Sequence, residues 1–373
     1  MKVLGINAGR IGIRGAHADH PLADGSAALL SDGRVVRAVI EERLTRTRYA
    51  GGFRRSAAAC LGSTALDAVD VFAFSSCCGA RWSRADAAEY LCRELGGVVS
   101  PERVLVVDHH RSHAMLAFAA AARRGAEPVL VCVLDGMGNR LDDDAPAEWW
   151  QGRFQRQSYY LARWVDGRAD IDLVHEEATG ANEIGLGEIY RAITHVLGWN
   201  SYQHAGKTMA LAAFGNAGHL PGVRFVEHDP TRGIVVPIGN LHDRPLEQVR
   251  QILRRAGHDL PAAFDASSVG PSNTLAAALA ACVQQQLEQA LVEQVGALAA
   301  RFGARQVAFG GGVALNCVAL GAVHDALPGL ELHVPCAPAD TGQALGNALY
   351  AAHAQASPWS SPAHQVGMAR CDF

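Results

Sequence analysis

The chain has 373 residues, 49% of them apolar and 19% charged, with a formal net charge of −4. This length suits two domains or one large bilobal unit, and the apolar share supplies ordinary globular cores. Nothing in the balance advertises a nucleic-acid or membrane surface, and no apolar run reaches the roughly 18 residues of a membrane span.

The N-terminal MKVLGINAG lacks the long apolar core and cleavage site of a secretory signal, so a cytoplasmic protein is expected and Lys2–Asn7 is predicted as the first strand. The loop from Ala8 to Gly25 carries His17, Asp19, His20 and Asp24. Polar loops are usually just solvated, yet His17 and His20 on a loop leaving a strand's carboxyl end suit acid–base work. Ser26–Leu30, the turn Ser31-Asp32-Gly33 and Val35–Ile40 predict a hairpin on an Asp-Gly turn. The run EERLTRTR (41–48) reads either as a solvated strand end with internal ion pairs or as a surface for an anionic donor. Nine scattered cysteines, several inside apolar runs, point away from disulfides, and Cys77-Cys78 reads as structural.

A helix is predicted over 84–95, and the stretch RVLVVDHHRSHA (103–114) follows. Val104–Val107 is a short continuous apolar run, as in a strand buried on both faces, and the residues after it are strong helix formers. If the helix begins at the histidines, His109 and His113 share one face about 5–6 Å apart at Cβ, which is chelating distance. Sixteen histidines produce roughly 0.7 such spacings by chance, so HxxxH alone is weak. The third imidazole of His110 and the placement at a strand's end favour a metal site over a merely hydrogen-bonded cluster.

Pro128–Leu134 reads as a buried strand ending in Asp135-Gly136-Met137-Gly138, where glycines let backbone N–H groups approach a phosphate. A meander is predicted over 149–175, then helices over 182–199, 206–211, 246–257 and 273–302. Lys207 lies near the start of the second of these, where an anion is welcome, although a solvated lysine would look the same. Gln306–Phe309 then predicts a strand running into Gly310-Gly311-Gly312 and Asn316. Three consecutive glycines suit a nucleotide lying against bare backbone, with Asn316 free to hydrogen-bond it. Leu332–Pro335 is the last predicted strand, and Asp340 beyond it is placed to complete a two-histidine, one-carboxylate site suited to iron, zinc or manganese.

Several motifs together resemble the carbamoyltransferase family that makes carbamates on antibiotics and nodulation factors: GIN (5–7), DGSAALLSDG (24–33), EERLTR (41–46), VDHHRSHA (107–114), VLDGMG (133–138), GKTMALAAFG (206–215), GGVALNC (311–317) and ADTGQALGNALY (339–350). The catalytic domain of that family is similar to tRNA threonylcarbamoyltransferases. The resemblance implies an α/β protein of the two-lobed actin-like ATPase (ASKHA) fold, with mixed sheets flanked by helices. Residues 1–180 would form an N-terminal lobe with the metal-binding histidines, and 181–373 a C-terminal lobe with the glycine-rich nucleotide site.

By position, His109, His113 and Asp340 resemble the ligands of a divalent metal, iron in the family. Asp135, Gly136, Gly138, Gly310, Gly311, Gly312 and Asn316 resemble the nucleotide cradle, and Lys207 would face the phosphate or carbamoyl oxygen. The implied reaction moves a carbamoyl group from carbamoyl-adenylate, made from carbamoyl phosphate and ATP, to a hydroxyl of a small acceptor. Two features depart from the family. Ala23 stands where a histidine resembling the base is expected, which turns attention to His20 and His17. The YrdC-like activating domain of the family lies outside this sequence, which leaves three readings: a separate activating subunit supplies the adenylate, the chain is a fragment, or the site has been put to another use. The acidic balance and EERLTR argue against a tRNA-modifying enzyme; a non-catalytic nucleotide-binding scaffold is the other alternative.

Overall fold

The computed structural model of the chain describes residues 1–10, 23–77, 82–121, 127–141, 153–166, 168–177, 185–199, 204–229, 233–235, 245–260, 264–354 and 371–372. In chain order, β1 (Lys2–Arg10), β2 (Ser26–Ser31) and β3 (Arg34–Ile40) form an antiparallel meander; β2 and β3 turn through Asp32 and Gly33, both in left-handed backbone, as an Asp-Gly hairpin requires. Next come α1 (Glu41–Thr45), α2 (Arg54–Leu61), β4 (Val71–Cys77), α3 (Arg84–Leu95), β5 (Val104–Val106) and α4 (His109–Ala121). The chain continues through β6 (Val129–Leu134), β7 (Gln157–Val165), β8 (Arg168–Glu177), α5 (Leu186–Val196), α6 (Ala205–Ala212), β9 (Glu227–Asp229), β10 (Gly233–Val235) and α7 (Pro245–Arg255). It closes with α8 (Thr274–Phe302), β11 (Gln306–Gly310), α9 (Cys317–Ala326), β12 (Glu331–His333), α10 (Gln343–Ala354) and β13 (Cys371–Asp372).

Two mixed sheets result, in the orders β13-β3-β2-β1-β4-β5 and β12-β11-β6-β7-β8. Alternation along β1 decides the layering. Val3 joins the core between the sheets, whereas Leu4 and Ile6 join the core on the other face, beneath α2 and α3. The interior between the sheets is filled by α4 and α10, whose alanines (Ala114, Ala117, Ala344 and Ala348 among them) pack with Val129, Val131 and Val133 of β6. Small side chains let these layers close up: a Cβ on Gly5 of β1 would stand 2.0 Å from the Ala344 carbonyl oxygen, and one on Gly346 of α10 would stand 2.2 Å from that of Ser112 in α4. The outer face of the second sheet is covered by α5 and α8. This is the α/β, actin-like arrangement of mixed sheets flanked by helices.

Strand β6 pairs in parallel with β11 and carries β7 and β8 into the second sheet, while β13 returns to pair with β3 in the first. Two expectations are corrected. Strand β5 is the edge of its sheet and only half-buried at Leu105 and Val106, so its apolar run is not a strand covered on both faces. EERLTR is no solvated strand end: Glu41 is buried and its carboxylate accepts from the backbone N–H of Arg55 (3.1 Å) and Ser56 (2.7 Å), capping the first turn of α2 from a distance. Glu42 accepts from Tyr49 N at 2.7 Å and so shapes the loop that follows. Replacing Glu41 by alanine strands two N–H groups, one of them in buried surroundings; a loss of about 1–3 kcal/mol is expected, read as a lower denaturant midpoint at unchanged slope.

Candidate functional site

Helix α4 starts at the histidines because Asp108 caps it, its Oδ1 accepting from Arg111 N at 2.9 Å. His109 and His113 therefore do fall one turn apart on one face, with ring centroids 4.9 Å apart. They meet two carboxylates. His109 Nε2 lies 3.0 Å from Asp135 Oδ2 and 3.5 Å from Asp340 Oδ1; His113 Nε2 lies 3.2 Å from Asp340 Oδ1. One donor atom from each of the four residues falls within a 4.8 Å span. Asp340 arrives from the turn before α10, Asp135 from the end of β6, so the cluster sits where both sheets' carboxyl ends converge.

The surroundings brace this group. Ser75 Oγ donates to Gln343 Oε1 (2.9 Å), Asn347 Nδ2 donates to Ser75 Oγ (2.7 Å), and the Gln343 amide nitrogen lies 2.8 Å from His113 Nε2. Burial lowers the basicity of His109, but the charges and hydrogen bonds of Asp340 and Asp135 overcome it and hold its pKa up at about 10. Burial likewise acts to raise Asp135 and Asp340, and the histidines more than offset it: Asp135 falls to about 2 and Asp340 well below the usual carboxylate range. A single protonated imidazole neutralises one of two buried carboxylates; a divalent cation neutralises both. The donor set of two imidazoles and two carboxylates fits such an ion, with iron, manganese and zinc all compatible by ligand type.

The third histidine is not part of this. His110 turns away to Ser158 Oγ (2.6 Å), and burial followed by the charge of His109 pushes its pKa down to about 3. Gly138, expected at a nucleotide, instead leaves room for that ring, since a Cβ there would meet His110 Nε2 at 2.7 Å. Packing also explains part of the glycine triplet: Gly310 lies against His113, and Gly311, with φ +89°, against the Leu134 carbonyl. Asn316 is not free, because its Oδ1 caps α9 through Ala319 N (3.0 Å) and its Nδ2 donates to Gln284 (2.8 Å).

Beside the cluster lies a cavity of about 750 Å³, with Asp135 and Asp340 among the residues that line it. Of the expected nucleotide and anion residues, Gly136, Gly312, Asn316 and Lys207 border it, whereas Gly138, Gly310 and Gly311 do not. Gly312 N donates to Asp135 Oδ1 at 3.2 Å. Lys207 rides on α6, which is pinned to α5 by the Thr194–Thr208 hydroxyl contact of 2.8 Å, and its ammonium lies 5.7 Å from the Trp199 ring centroid. Arg48, Arg191 and His204 add to the basic lining, and Arg48 comes from the loop shaped by Glu42. Sequence reasoning missed Asp135 as a cluster member, and Arg191 and His204 as lining. His17 and His20 lie outside the described residues.

Replacing His113 by alanine removes one imidazole from the four, so metal content is expected to fall from about one ion per chain to near zero by elemental analysis. Because a ligand imidazole must shed its proton, metal uptake by the unaltered chain should release about one proton near neutral pH and tighten as pH rises toward 10. Calorimetry in buffers of different ionisation heat measures that release.

The carbamoyltransferase N-terminus family matches residues 92–349. The nodulation protein NolNO of Sinorhizobium fredii is 27% identical over 374 residues, covering 94% of this chain and 49% of that protein. An uncharacterized protein of Methanocaldococcus jannaschii, MJ1058, is 26% identical over 249 residues, 66% of this chain and 37% of its own length. The chain thus spans about half or less of the curated relatives it matches. Among solved structures, HypF of T. kodakarensis shares the fold, with a TM-score of 0.53 at 14% identity over 97% of this chain and 49% of that one. No helix among the described residues is long and apolar enough to cross a membrane. With the family matched over well more than half its residues, including every member of the histidine–aspartate cluster, the chain belongs to the carbamoyltransferase N-terminus family.

Proposed function

We propose that this chain performs the transfer half of a carbamoylation: an acceptor hydroxyl, on a small secondary metabolite, attacks the carbonyl of carbamoyl-adenylate and AMP departs. The observation that carries this reading is the junction of two features, a cavity lined by Arg48, Arg191, His204 and Lys207 among others and a buried histidine–aspartate cluster whose two carboxylates share that lining. Carbamoyl phosphate and ATP would be the sources of the adenylate, which a YrdC-like activity would form. His109, His113, Asp135 and Asp340 would hold the divalent metal, iron foremost, which when bound supplies Lewis acidity toward an oxygen of the donor.

The chain's own side chains bind and orient. Arg48, Arg191 and Lys207 offset the charge of the adenylate phosphate and of the AMP that leaves. Gly136 and Gly312 keep the wall bare of side chains beside Asp135. The decisive experiment gives the metal-loaded chain carbamoyl-adenylate and a panel of alcohols. Carbamate formation is expected; AMP binding with no turnover on any alcohol would favour a scaffold instead.

Two outcomes follow from the lining. Losing the Lys207 ammonium in a Lys207→Ala variant should weaken AMP binding by roughly tenfold, as for other charge-assisted contacts. His204 has its pKa lowered by partial burial and then by the charges of Lys207 and Arg48. A bound phosphate offsets those charges and raises it, so the complex takes up protons and AMP affinity should increase as pH falls from about 8 to 6. Calorimetric titration should show that trend diminished in a His204→Ala variant.

A further inference from the structure

Helix α5 opens against the turn that follows β6. Its first residues are pressed onto that turn: a Cβ on Gly187 would stand 2.7 Å from the Gly136 Cα, and one on Gly136 would stand 2.9 Å from Glu188 Oε1. The Glu188 carboxylate is therefore wedged beside Gly136, and the residue is only 4% exposed. Glu188 is not among the residues that line the cavity; Arg191, one turn on, is. The two are joined, with Arg191 Nη1 donating to Glu188 Oε1 across that turn. Both ends of this link are fixed. Leu186, Ile189 and Ile193 root α5 in the core, and Tyr190 Oη donates to Gln284 Oε1 at 2.9 Å. Arg156 Nη1 donates to the Gly136 carbonyl at 2.9 Å, which holds the turn on which Glu188 rests. A buried carboxylate in the first turn of a helix, where the helix dipole favours it, thus grips a guanidinium at the cavity wall.

We infer that Glu188 is a positioning residue for the donor's phosphate, acting through Arg191, an assignment that rests on the donor binding proposed above. An arginine side chain has many rotamers, and immobilising it when a ligand arrives lowers affinity. Pairing with Glu188 orders the guanidinium beforehand, in the folded protein. The guanidinium keeps its capacity for a second anion, because its planar fork presents more N–H donors than one carboxylate can accept. The Glu188 charge also repels a phosphate, so its removal acts in two opposed ways, loosening the fork and stripping a negative charge from its neighbourhood. Positioning prevails because the pair is largely buried, where an ion pair holds its members more firmly than at an exposed surface.

The test measures AMP binding by calorimetry and adenosine, which lacks the phosphate, by competition. Glu188→Gln keeps the side chain's shape and removes its charge. It should weaken AMP binding by about three- to tenfold, change adenosine binding by less than about twofold and leave metal content level. In an Arg191→Met background the same change should weaken AMP no further. A merely structural role would not give this pattern, since a distorted turn weakens both ligands alike in either background. Arg191→Lys, which keeps the charge and loses the fork, should weaken AMP nearly as much as Arg191→Met. AMP binding unchanged or tighter in Glu188→Gln, equal losses for AMP and adenosine, or equal losses in the two backgrounds would overturn the assignment. So would full AMP affinity in Arg191→Lys, a result that decides the matter even where Glu188→Gln folds poorly. If the unaltered chain binds no AMP, the transfer reading itself falls and the inference falls with it.

Discussion

The structure depends on how closely α4 and α10 cross between the two sheets. At Gly346 the backbones nearly touch, and Ser112 Oγ donates to the Gln343 carbonyl at 3.0 Å across the same crossing. That contact sets the start of α10 against the start of α4, and so sets Asp340 against His113. A side chain at residue 346 would push the helices apart and separate His113 from Asp340, a hydrogen-bonded pair that lies 227 residues apart in the chain. The small residues of both helices, which look like simple helix formers in the sequence, are what allow two sheets to share one thin interior.

The cluster also shows how a buried polar group is made tolerable. Two carboxylates and two imidazoles out of water would be unfavourable singly; arranged as alternating partners, each offsets the desolvation of the next. The outer ring of Ser75, Asn347 and Gln343 belongs to both sheets' helices and strands, so the cluster is braced by the fold as a whole. That bracing limits the rotamers open to His109 and His113.

What could be read in the sequence was what is local. The histidine pair was legible because helical spacing alone places His109 and His113 together, and the Asp-Gly hairpin because its turn chemistry is confined to two residues. Asp340 could be suspected from its place after a strand. Asp135 was assigned to a phosphate loop because nothing nearby in the chain reveals that β6 lies beside β11 and ends facing α4. Gly138, Gly310 and Gly311 carry the same composition as a phosphate cradle, yet their bareness accommodates His110, His113 and the Leu134 carbonyl. Glu41 looked like surface charge because its partners, the first N–H groups of α2, are more than a dozen residues on. In each case the deciding contact was a long-range one that periodicity does not encode.

The cavity walls carry a further consequence. Arg48 follows the strands of the first sheet, Lys207 and His204 stand at α6 on the side of the second, and Asp135 and Asp340 share the same lining. Cations and carboxylates gathered from such distant segments meet in one space, so the field inside the cavity is a property of the whole fold and no single segment carries it.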